Sequence, residues 1–427
     1  MRAALSFLCL MAISGAALAQ TVDVPRVTPG MRTPDYWISR HRAPDRLVMS
    51  PEEIKAFNKR TIDAGLIEEL SVFPEEYDGY KLQIQLQSML DGLKHQRLYM
   101  VSGALAGEDL YASLQKKIAI DAVAYRVIPR RAFVTTFTDQ RLVPMDEPLY
   151  EAPRDVDFDQ VQNSGLDPST PVMVLHQTAD GKWLYVKDMI AGGWVHADAV
   201  AFVDERMWKM FWQDTSSVVV TAARTLVWSD AELRGPLAAL RMGTRLMATK
   251  FTRGVVEVLY PQRGVGGKVF WTTAFMKRAD VTPGSLPYTA RNIYTQAFKM
   301  LDAPYGWGDV HQRQDCSRFT QMVFATVGLI LPRNSAEQGQ TGSEVPLPEA
   351  MGAATLLRLN GHVMLYLGRV DQRLYAIHDV WAYRENVNGR DVLRPLKRVV
   401  VSDLLLGEGS SKGSLMERLV AVRSLAK

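Results

Sequence analysis

The sequence predicts an α+β chain of several domains, with a partly helical N-terminal region, two small β-barrels and a mixed α+β C-terminal domain. Three observations support this fold class. The 427 residues allow two to four domains. Hydrophobic residues make up 47% of the chain and charged residues 22%, as in ordinary globular proteins. The pattern also changes along the chain, from helical segments to short strands and then to a mixture of both.

The first residues, 1–19, have the features of a secretory signal peptide. Arg2 gives a positive start, Leu5 to Ile13 is apolar, and Ala17-Leu18-Ala19 forms an A-x-A cleavage site. The apolar run is too short to span a membrane. We therefore expect a soluble, exported protein of the periplasm or cell envelope that starts at Gln20, without stable membrane insertion.

Residues 20–128 are predicted to form one N-terminal region. Residues 20–50 are rich in Pro and Arg, which favours an extended arm over a packed unit. Ser50-Pro51-Glu52-Glu53 then provides an N-cap, a Pro at the first helical position and acids in the first turn. Further helical segments are expected at Gly79–Leu93 and Glu108–Lys117.

Two successive units of short strands follow, which we assign to residues 129–205 and 206–282. In the first unit, Pro171 to Phe202 contains three strands separated by Gly-containing turns. The second unit shows the same pattern of short strands and Gly-containing turns, with strands expected at 217–221, 244–251, 255–260 and 268–273. Short strands with Gly turns favour closed barrels over open sheet edges, so we predict two small β-barrels.

The candidate catalytic residues lie in residues 283–427, and the first of them is a single cysteine. Cys9 lies in the predicted signal peptide, so Cys316 is unpaired in an oxidising compartment and is either an inert buried residue or a reactive thiol. Asp315 is a good N-cap, and Gly328 and Pro332 end the helix. Cys316 therefore falls in the first helical turn, where the macrodipole and unpaired N–H groups favour a thiolate.

Two histidines are candidates for a base and its orienting partner. His362 lies in the predicted strand "GHVMLYLG" and His378 in the predicted strand "LYAIHDVW". A hairpin with an odd-numbered loop, such as Gly368 to Gln372, pairs Tyr366 with Leu374 and places both histidines on one face. An even loop would place them on opposite faces.

Composition and spacing argue against two other kinds of ligand. The net charge of +4, without a Lys/Arg stripe, is too weak for a nucleic-acid partner. The spacing of Cys316, His362 and His378 fits no compact zinc pattern, and no fourth ligand is evident. We therefore expect no metal and no cofactor, and we expect a monomer.

These residues together resemble the NlpC/P60 cysteine peptidases, which have a papain-like fold. The resemblance rests on five elements in chain order: an aromatic-Gly-x-Gly stretch ("YGWG"), Asp-Cys-Ser at a helix start, Leu-Pro-Arg-x-Ser ("LPRNS"), a strand His after Gly ("GHVMLYLG") and a further His one strand on ("IHDV"). It covers about 100 residues of the C-terminal domain. An N-terminal clip region followed by two bacterial SH3 (SH3b) barrels is similar to the layout of the γ-D-glutamyl-L-diamino acid endopeptidases in that family.

The resemblance implies a role for each matching residue. Cys316 would be the nucleophile, His362 the general base and His378 the residue that orients it. Tyr305 matches an aromatic residue near the oxyanion position. Further matches line the substrate cleft: Asp315, Ser317 and Ser335. The implied substrates are peptidoglycan stem peptides of the L-Ala-γ-D-Glu-diaminopimelate type.

Two positions depart from the family pattern. Arg318 replaces a common Gly and is expected to add a cation beside the cleft. Asn334 occupies the position of an Asp implicated in binding a free N-terminal amine, so recognition of that amine is open. The first barrel is expected to supply an acidic or aromatic partner, with Tyr150, Asp157 and Asp159 as candidates.

Two other functions remain open from the residues alone. A catalytically silent peptidoglycan-binding protein would use only its barrels and would not need to keep Cys316, His362 and His378. An amidase or acyltransferase of the same fold would keep all three.

Overall fold

The computed structural model describes residues 23–426. The predicted signal peptide at 1–19, with Cys9 and the expected start at Gln20, lies outside the described residues. None of the helices between residues 23 and 426 has the length and apolar composition needed to cross a bilayer.

The N-terminal arm packs against the C-terminal domain. Met31, Trp37, Ile38 and Met49 are buried in the hydrophobic core that also contains Cys316. The prediction of an extended, unpacked arm is therefore wrong, because the apolar residues between its Pro and Arg residues find a common core. Helices of the N-terminal region are α1 (Pro34–Ile38), α2 (Pro51–Asp63), α3 (Gly79–Lys94) and α4 (Glu108–Ile118).

Capping residues in the sequence predict the start of α2 correctly. Ser50 caps α2 in a capping box with Glu53, as the sequence predicts. The buried residues of α3 and α4 pack with the core of the first barrel, whereas Phe57 of α2 packs with the C-terminal domain. The N-terminal region therefore contacts two different cores.

A seven-stranded antiparallel sheet forms the first barrel, in the order β5-β4-β8-β7-β6-β3-β9. A separate pair, β1 (Tyr77–Asp78) and β2 (Arg126–Val127), flanks α3. The strands of the barrel are β3 (Arg130–Val134), β4 (Thr138–Arg141), β5 (Gln162–Leu166), β6 (Pro171–Gln177), β7 (Trp183–Lys187), β8 (Gly192–His196) and β9 (Val200–Phe202).

Helix α5 (Glu205–Gln213) leads into a second seven-stranded antiparallel sheet, in the order β12-β11-β15-β14-β13-β10-β16. Its valine-rich interior forms a core of its own. The strands are β10 (Val218–Val220), β11 (Arg224–Trp228), β12 (Pro236–Arg241), β13 (Arg245–Phe251), β14 (Val255–Arg263), β15 (Val269–Lys277) and β16 (Val281–Pro283).

The C-terminal domain places three helices on one face of a six-stranded antiparallel sheet, in the order β17-β22-β18-β19-β20-β21. The helices are α6 (Ala290–Lys299), α7 (Cys316–Ala325) and α8 (Ser335–Gln338). The strands are β17 (Ser343–Glu344), β18 (Thr355–Leu359), β19 (His362–Val370), β20 (Arg373–Val387), β21 (Arg390–Asp403) and β22 (Leu419–Ser424).

The hairpin between β19 and β20 differs from the sequence prediction. Its turn has only two residues, Asp371 and Gln372, with φ angles of 46° and 65°. This turn pairs Val370 with Arg373. An even loop of this kind, taken alone, would put His362 and His378 on opposite faces.

A β-bulge at Leu367 restores the common face. The register shifts between Tyr366 and Gly368, so that Tyr366 pairs with Ala376 and not with Leu374. One extra residue on β19 reverses the side-chain alternation of the strand beyond it. The predicted pairing of Tyr366 with Leu374 is therefore wrong, while the predicted common face of the two histidines is confirmed.

Candidate active site

Cys316 begins α7 and opens on a cleft between the C-terminal domain and the first barrel. The side chain of Asp315 caps the helix by accepting a hydrogen bond from the Arg318 N–H at 2.9 Å. Cys316 is only 7% exposed. The cleft has a volume of about 470 Å³, and its walls include Tyr305, Cys316, Ser335 and Asn163.

The glycines of the "YGWG" stretch are needed for close backbone approach. A Cβ at Gly306 would lie 2.5 Å from the Arg313 Cβ and 2.8 Å from the Val310 carbonyl oxygen. Gly308 has a φ of +58°, and a Cβ there would lie 2.6 Å from the Gln162 Cγ of the first barrel. Glycine tolerates both conditions, so this stretch can fold tightly between the cleft and the barrel.

The two histidines form a hydrogen-bonded pair that continues to a serine. His362 Nε2 lies 2.7 Å from His378 Nδ1, and His378 Nε2 lies 2.9 Å from the Ser402 hydroxyl oxygen. His378 and Ser402 are completely buried. Because Nε2 of His362 faces His378, Nδ1 is the ring nitrogen that remains for the thiol.

The thiol lies beside the start of β19. The backbone of Val363, which follows His362, hydrogen-bonds the Cys316 sulfur. Within residues 23–426 the thiol makes no direct hydrogen bond to either histidine ring, and catalytic hydrogen bonds often tighten only when substrate binds.

Burial favours the neutral thiol at Cys316, contrary to the sequence-based expectation of a thiolate. Burial and the Asp315 carboxylate raise the pKa of Cys316 to about 12, and the Val363 hydrogen bond opposes them only in part. A helix N-terminus stabilises an anion by roughly 0.3–1 kcal/mol, less than one pKa unit. Desolvation is therefore the larger effect.

The histidine pair is neutral as well. Desolvation and the nearby Arg418 guanidinium lower the pKa of His362 to about 4, although Asp315 favours its protonated form. Desolvation and His362 lower the pKa of His378 well below its ordinary value. A neutral imidazole is the form that can accept a proton from a thiol.

A buried ion network joins α7 to both barrels. Asp309 is fully buried and lies 3.3 Å from Arg241 of the second barrel, 3.2 Å from Arg318 and 3.4 Å from Arg333. Arg333 also pairs with Asp315 at 2.9 Å. These arginines lower the pKa of Asp309 in spite of its burial.

Arg318 does not extend into the cleft. Besides Asp309, its guanidinium lies 3.7 Å from Asp167 of the first barrel. The expectation of an added cation beside the cleft is therefore wrong, because these two buried carboxylates hold the side chain at the barrel junction.

The residues matched to the substrate cleft all line it, but several are held by the protein itself. Asp315 accepts hydrogen bonds from Ser317, Arg318 and Arg333. Asn334 caps α8 by accepting from the Glu337 N–H at 2.9 Å. The cleft is lined by Tyr305, Asp315, Ser317, Asn334 and Ser335.

The candidates named in the first barrel serve other contacts. Asp159 pairs with Arg141 at 2.5 Å, and Asp157 pairs with Lys397 of the C-terminal domain at 2.7 Å. Tyr150 is buried and makes backbone hydrogen bonds to Tyr99. The barrel instead presents amides to the cleft, namely Gln160, Gln162 and Asn163.

Sequence reasoning missed four residues of this arrangement: Ser402, Glu337, Arg241 and Gln96. Glu337 and Gln96 line the cleft, the latter from the N-terminal region. Glu337 follows the Leu-Pro-Arg-Asn-Ser motif by two residues, so the motif was a usable signal for it. Ser402 and Arg241 lie far from every motif in sequence.

No group of three His, Cys, Asp or Glu side chains within residues 23–426 is arranged to hold a metal ion.

Comparison with known proteins identifies the family that the C-terminal domain resembles. Residues 302–385 match the NlpC/P60 family. Residues 148–196 match the SH3 domain of SH3b1 type, within the first barrel. The resemblance and the α+β multidomain fold predicted from the sequence are thereby confirmed.

Two curated proteins are similar to part of the chain. Dipeptidyl-peptidase 6 of Lysinibacillus sphaericus is 31% identical over 121 residues, which cover 28% of this chain and 43% of that protein. The γ-D-glutamyl-L-lysine dipeptidyl-peptidase of Bacillus subtilis is 33% identical over 104 residues, covering 22% of this chain and 35% of that protein. The chain thus spans less than half the length of these relatives.

A solved structure matches nearly the whole chain. An NlpC/P60 endopeptidase from Photobacterium damselae subsp. piscicida superposes with a TM-score of 0.74 over 95% of this chain and 99% of that chain, at 17% identity. At this identity the match shows a shared fold.

Proposed function

We propose that the chain is a cysteine peptidase that hydrolyses the γ-D-glutamyl–diamino acid bond of peptidoglycan stem peptides in the cell envelope. The observation that carries this proposal is a thiol at a helix start, beside a hydrogen-bonded histidine pair, on a cleft of peptide size. Cys316 is the nucleophile, His362 the general base and His378 its orienting partner.

The first step of the reaction forms a tetrahedral intermediate. As the Cys316 sulfur bonds to the γ-carbonyl carbon of D-Glu, the thiol proton passes to His362 Nδ1. The carbonyl oxygen becomes an oxyanion, which the Tyr305 hydroxyl and the N–H groups at the start of α7 stabilise. Burial raises the pKa of Tyr305, which keeps its hydroxyl protonated and able to donate.

The remaining steps release both products. His362 gives its proton to the amine of the diamino acid as the C–N bond breaks, which leaves the thioester. A water then loses one proton to His362 and bonds to the thioester carbon, and the C–S bond breaks. The thiolate recovers that proton from His362, and the γ-carboxylic acid of D-Glu leaves and loses its own proton to solvent.

Burial opposes this proton transfer before the attack begins. It raises the pKa of Cys316 and lowers the pKa of His362, so the neutral thiol and imidazole are favoured over a thiolate and an imidazolium. The proton must therefore move during the attack, and the helix start and Tyr305 stabilise the charge that develops on the substrate.

Glu337 is proposed to supply the carboxylate that the family pattern has at the position of Asn334. Its side chain lines the cleft, is partly buried and hydrogen-bonds the Asn334 side chain. A carboxylate at this position can pair with a free N-terminal ammonium of the stem peptide, which the Asn amide alone cannot. The charge is displaced by three positions, from the N-cap of α8 to its third residue.

The walls of the cleft favour small peptides over cross-linked wall. The first barrel contributes Gln160, Gln162 and Asn163, and Gln96 of the N-terminal region closes another side. A polymer would have to pass these walls to reach Cys316.

The test uses the chain from Gln20 and its Cys316→Ala variant. Each is incubated with L-Ala-γ-D-Glu-diaminopimelate, free and N-acylated, and with intact sacculi, and products are identified by mass spectrometry. We expect cleavage after D-Glu by the wild type alone, with the free peptide preferred and sacculi cleared more slowly. Glu337→Gln should reduce this preference for the free amine.

Other outcomes identify the alternatives. Wall binding without cleavage of any substrate would favour a catalytically silent binding protein. Transfer of the acyl group to an added amine, in place of hydrolysis, would favour an acyltransferase.

A further inference from the structure

Ser402 ends a buried chain of hydrogen bonds that begins at the candidate base. It lies in β21, where its neighbour across the strand pair is Ala376 of β20. Its hydroxyl oxygen is 2.9 Å from His378 Nε2, and His378 Nδ1 is 2.7 Å from His362 Nε2. Ser402 and His378 are both 0% exposed, so bulk water does not replace either partner.

Only two proton arrangements satisfy this chain. In the first, His362 Nε2–H donates to His378 Nδ1, and His378 Nε2–H donates to Ser402. In the second, the Ser402 hydroxyl donates to His378 Nε2, and His378 Nδ1–H donates to His362 Nε2. Each imidazole carries one proton when neutral, so the direction at Ser402 fixes the direction at His362.

The two arrangements differ in their chemistry. In the first, His362 Nδ1 has a free lone pair and can take the thiol proton. In the second, Nδ1 carries the proton, and His362 is not a base. Once His362 is protonated, its Nε2–H also needs His378 Nδ1 as an acceptor, which again requires the first arrangement.

We propose that Ser402 is a positioning residue that accepts the hydrogen bond of His378 and thereby holds His362 in the tautomer that acts as a base. The inference rests on the proposed peptidase function. Ser402 touches no substrate and acts through His378.

Replacing Ser402 by Ala should favour the inactive arrangement. His378 Nε2–H would then be a buried donor without an acceptor, which is more costly than a buried nitrogen lone pair. The ring would therefore carry its proton on Nδ1. We expect kcat to fall about tenfold to a hundredfold, the range for one lost buried hydrogen bond, with KM unchanged.

The pH profile separates this role from a loss of stability. In Ser402→Ala the protonated form of His362 loses its acceptor, so its pKa falls further, and the acidic limb of kcat/KM should move to lower pH. A merely destabilised protein would instead lose activity sooner on acidification. The substitution leaves the other titratable and charged groups around the pair in place: Asp315, Cys316, Asp379, Asp403 with its partners Arg26 and Arg373, and Arg418.

Ser424→Ala is the matched control. Ser424 is a nearly buried serine in β22 of the same sheet, 6% exposed, and is remote from the histidine pair in the strand order. This variant should keep wild-type kcat and an unshifted pH profile, while it loses a hydroxyl of similar burial.

A second measurement does not depend on activity. Long-range ¹⁵N–¹H spectra of histidine-labelled protein report which ring nitrogen carries the proton. We expect both His362 and His378 to be protonated at Nε2 in the wild type and at Nδ1 in Ser402→Ala. Assignment uses His362→Gln and His378→Gln.

The outcomes distinguish the two proposals. A wild type that cleaves no stem peptide contradicts the proposed function, and the tautomers still test Ser402. An active wild type with equal kcat and tautomers in Ser402→Ala and Ser424→Ala would overturn the inference about Ser402.

Discussion

Two buried polar clusters flank Cys316, and they differ in charge. On one side, a charged cluster of three arginines and three carboxylates joins α7 to both barrels: Arg241, Arg318, Arg333, Asp167, Asp309 and Asp315. On the other side, a neutral cluster of His362, His378 and Ser402 extends through the sheet. Cys316 lies where they meet.

The difference shows how burial serves two purposes. In the charged cluster each buried carboxylate has at least one guanidinium partner, so ionisation persists and the geometry of α7 is fixed. In the neutral cluster burial acts without a partner of opposite charge, and it lowers the pKa values of both histidines. Charged groups thus fix the start of α7 that carries Cys316, and in the proposed mechanism the neutral groups exchange its proton.

The largest expected effect concerns Cys316, the proposed nucleophile. With the pKa of Cys316 raised to about 12, against about 8.5 for an ordinary thiol, the thiolate fraction at neutral pH should be lower by about 10³-fold. Iodoacetamide should therefore alkylate Cys316 about 10³-fold more slowly than a free cysteine. The rate should rise about tenfold per pH unit from pH 7 to pH 10.

The chain from Gln20 suits this experiment, because Cys316 is its only cysteine. Urea-unfolded protein provides the control and should react as an ordinary thiol. A rate that reaches a plateau near pH 7 would contradict the neutral thiol and indicate a thiolate–imidazolium pair.

The next largest effect concerns the charged cluster. Arg333→Met removes the guanidinium partner of Asp315 and one of the three partners of Asp309. Breaking a buried ion pair from one side costs about 3–5 kcal/mol, because it leaves an uncompensated buried charge. We expect a loss of this size in the free energy of unfolding, measured by urea denaturation with tryptophan fluorescence, together with a loss of peptidase activity.

Arg291→Met is the matched control, since Arg291 pairs with Asp45 on the surface at 2.5 Å. An exposed ion pair contributes about 0–1 kcal/mol, so this variant should keep nearly full stability. Equal losses in the two variants would show that the buried cluster is not held by charge compensation.

Much of this arrangement follows from local sequence signals. Asp315 before Cys316 predicts a helix start, and Ser50 with Glu53 predicts the capping box of α2, because capping depends on residues within one turn. The alternation of apolar residues predicts the strands that carry His362 and His378. These features need no knowledge of distant contacts.

The remaining features depend on residues that are far apart in sequence. The bulge at Leu367 decides the face of His362. The adjacent Gly368, with a φ of 141°, is a local sign of a bulge, but it does not fix which residue is the extra one. Arg241 and Asp309 meet only because two barrels dock on the C-terminal domain. The thiolate expectation was wrong for a similar reason, since burial is set by tertiary packing and outweighs a local helix dipole.

The smallest expected effect tests the neutral cluster through a charge that lies outside it. Arg418 immediately precedes Leu419, which pairs with Leu359 of β18, and Leu359 in turn pairs with His362. The guanidinium charge disfavours a second positive charge and so lowers the pKa of His362. In Arg418→Met this pKa should rise from about 4, and the acidic limb of kcat/KM should move to higher pH by less than about one unit. The shift is opposite in sign to that expected for Ser402→Ala, because Arg418 destabilises the imidazolium and Ser402 stabilises it.

Arg390→Met, at the exposed tip of the β20–β21 hairpin, removes the same charge at a distance and should leave the limb unmoved. An unchanged limb in Arg418→Met would mean that desolvation alone keeps His362 neutral.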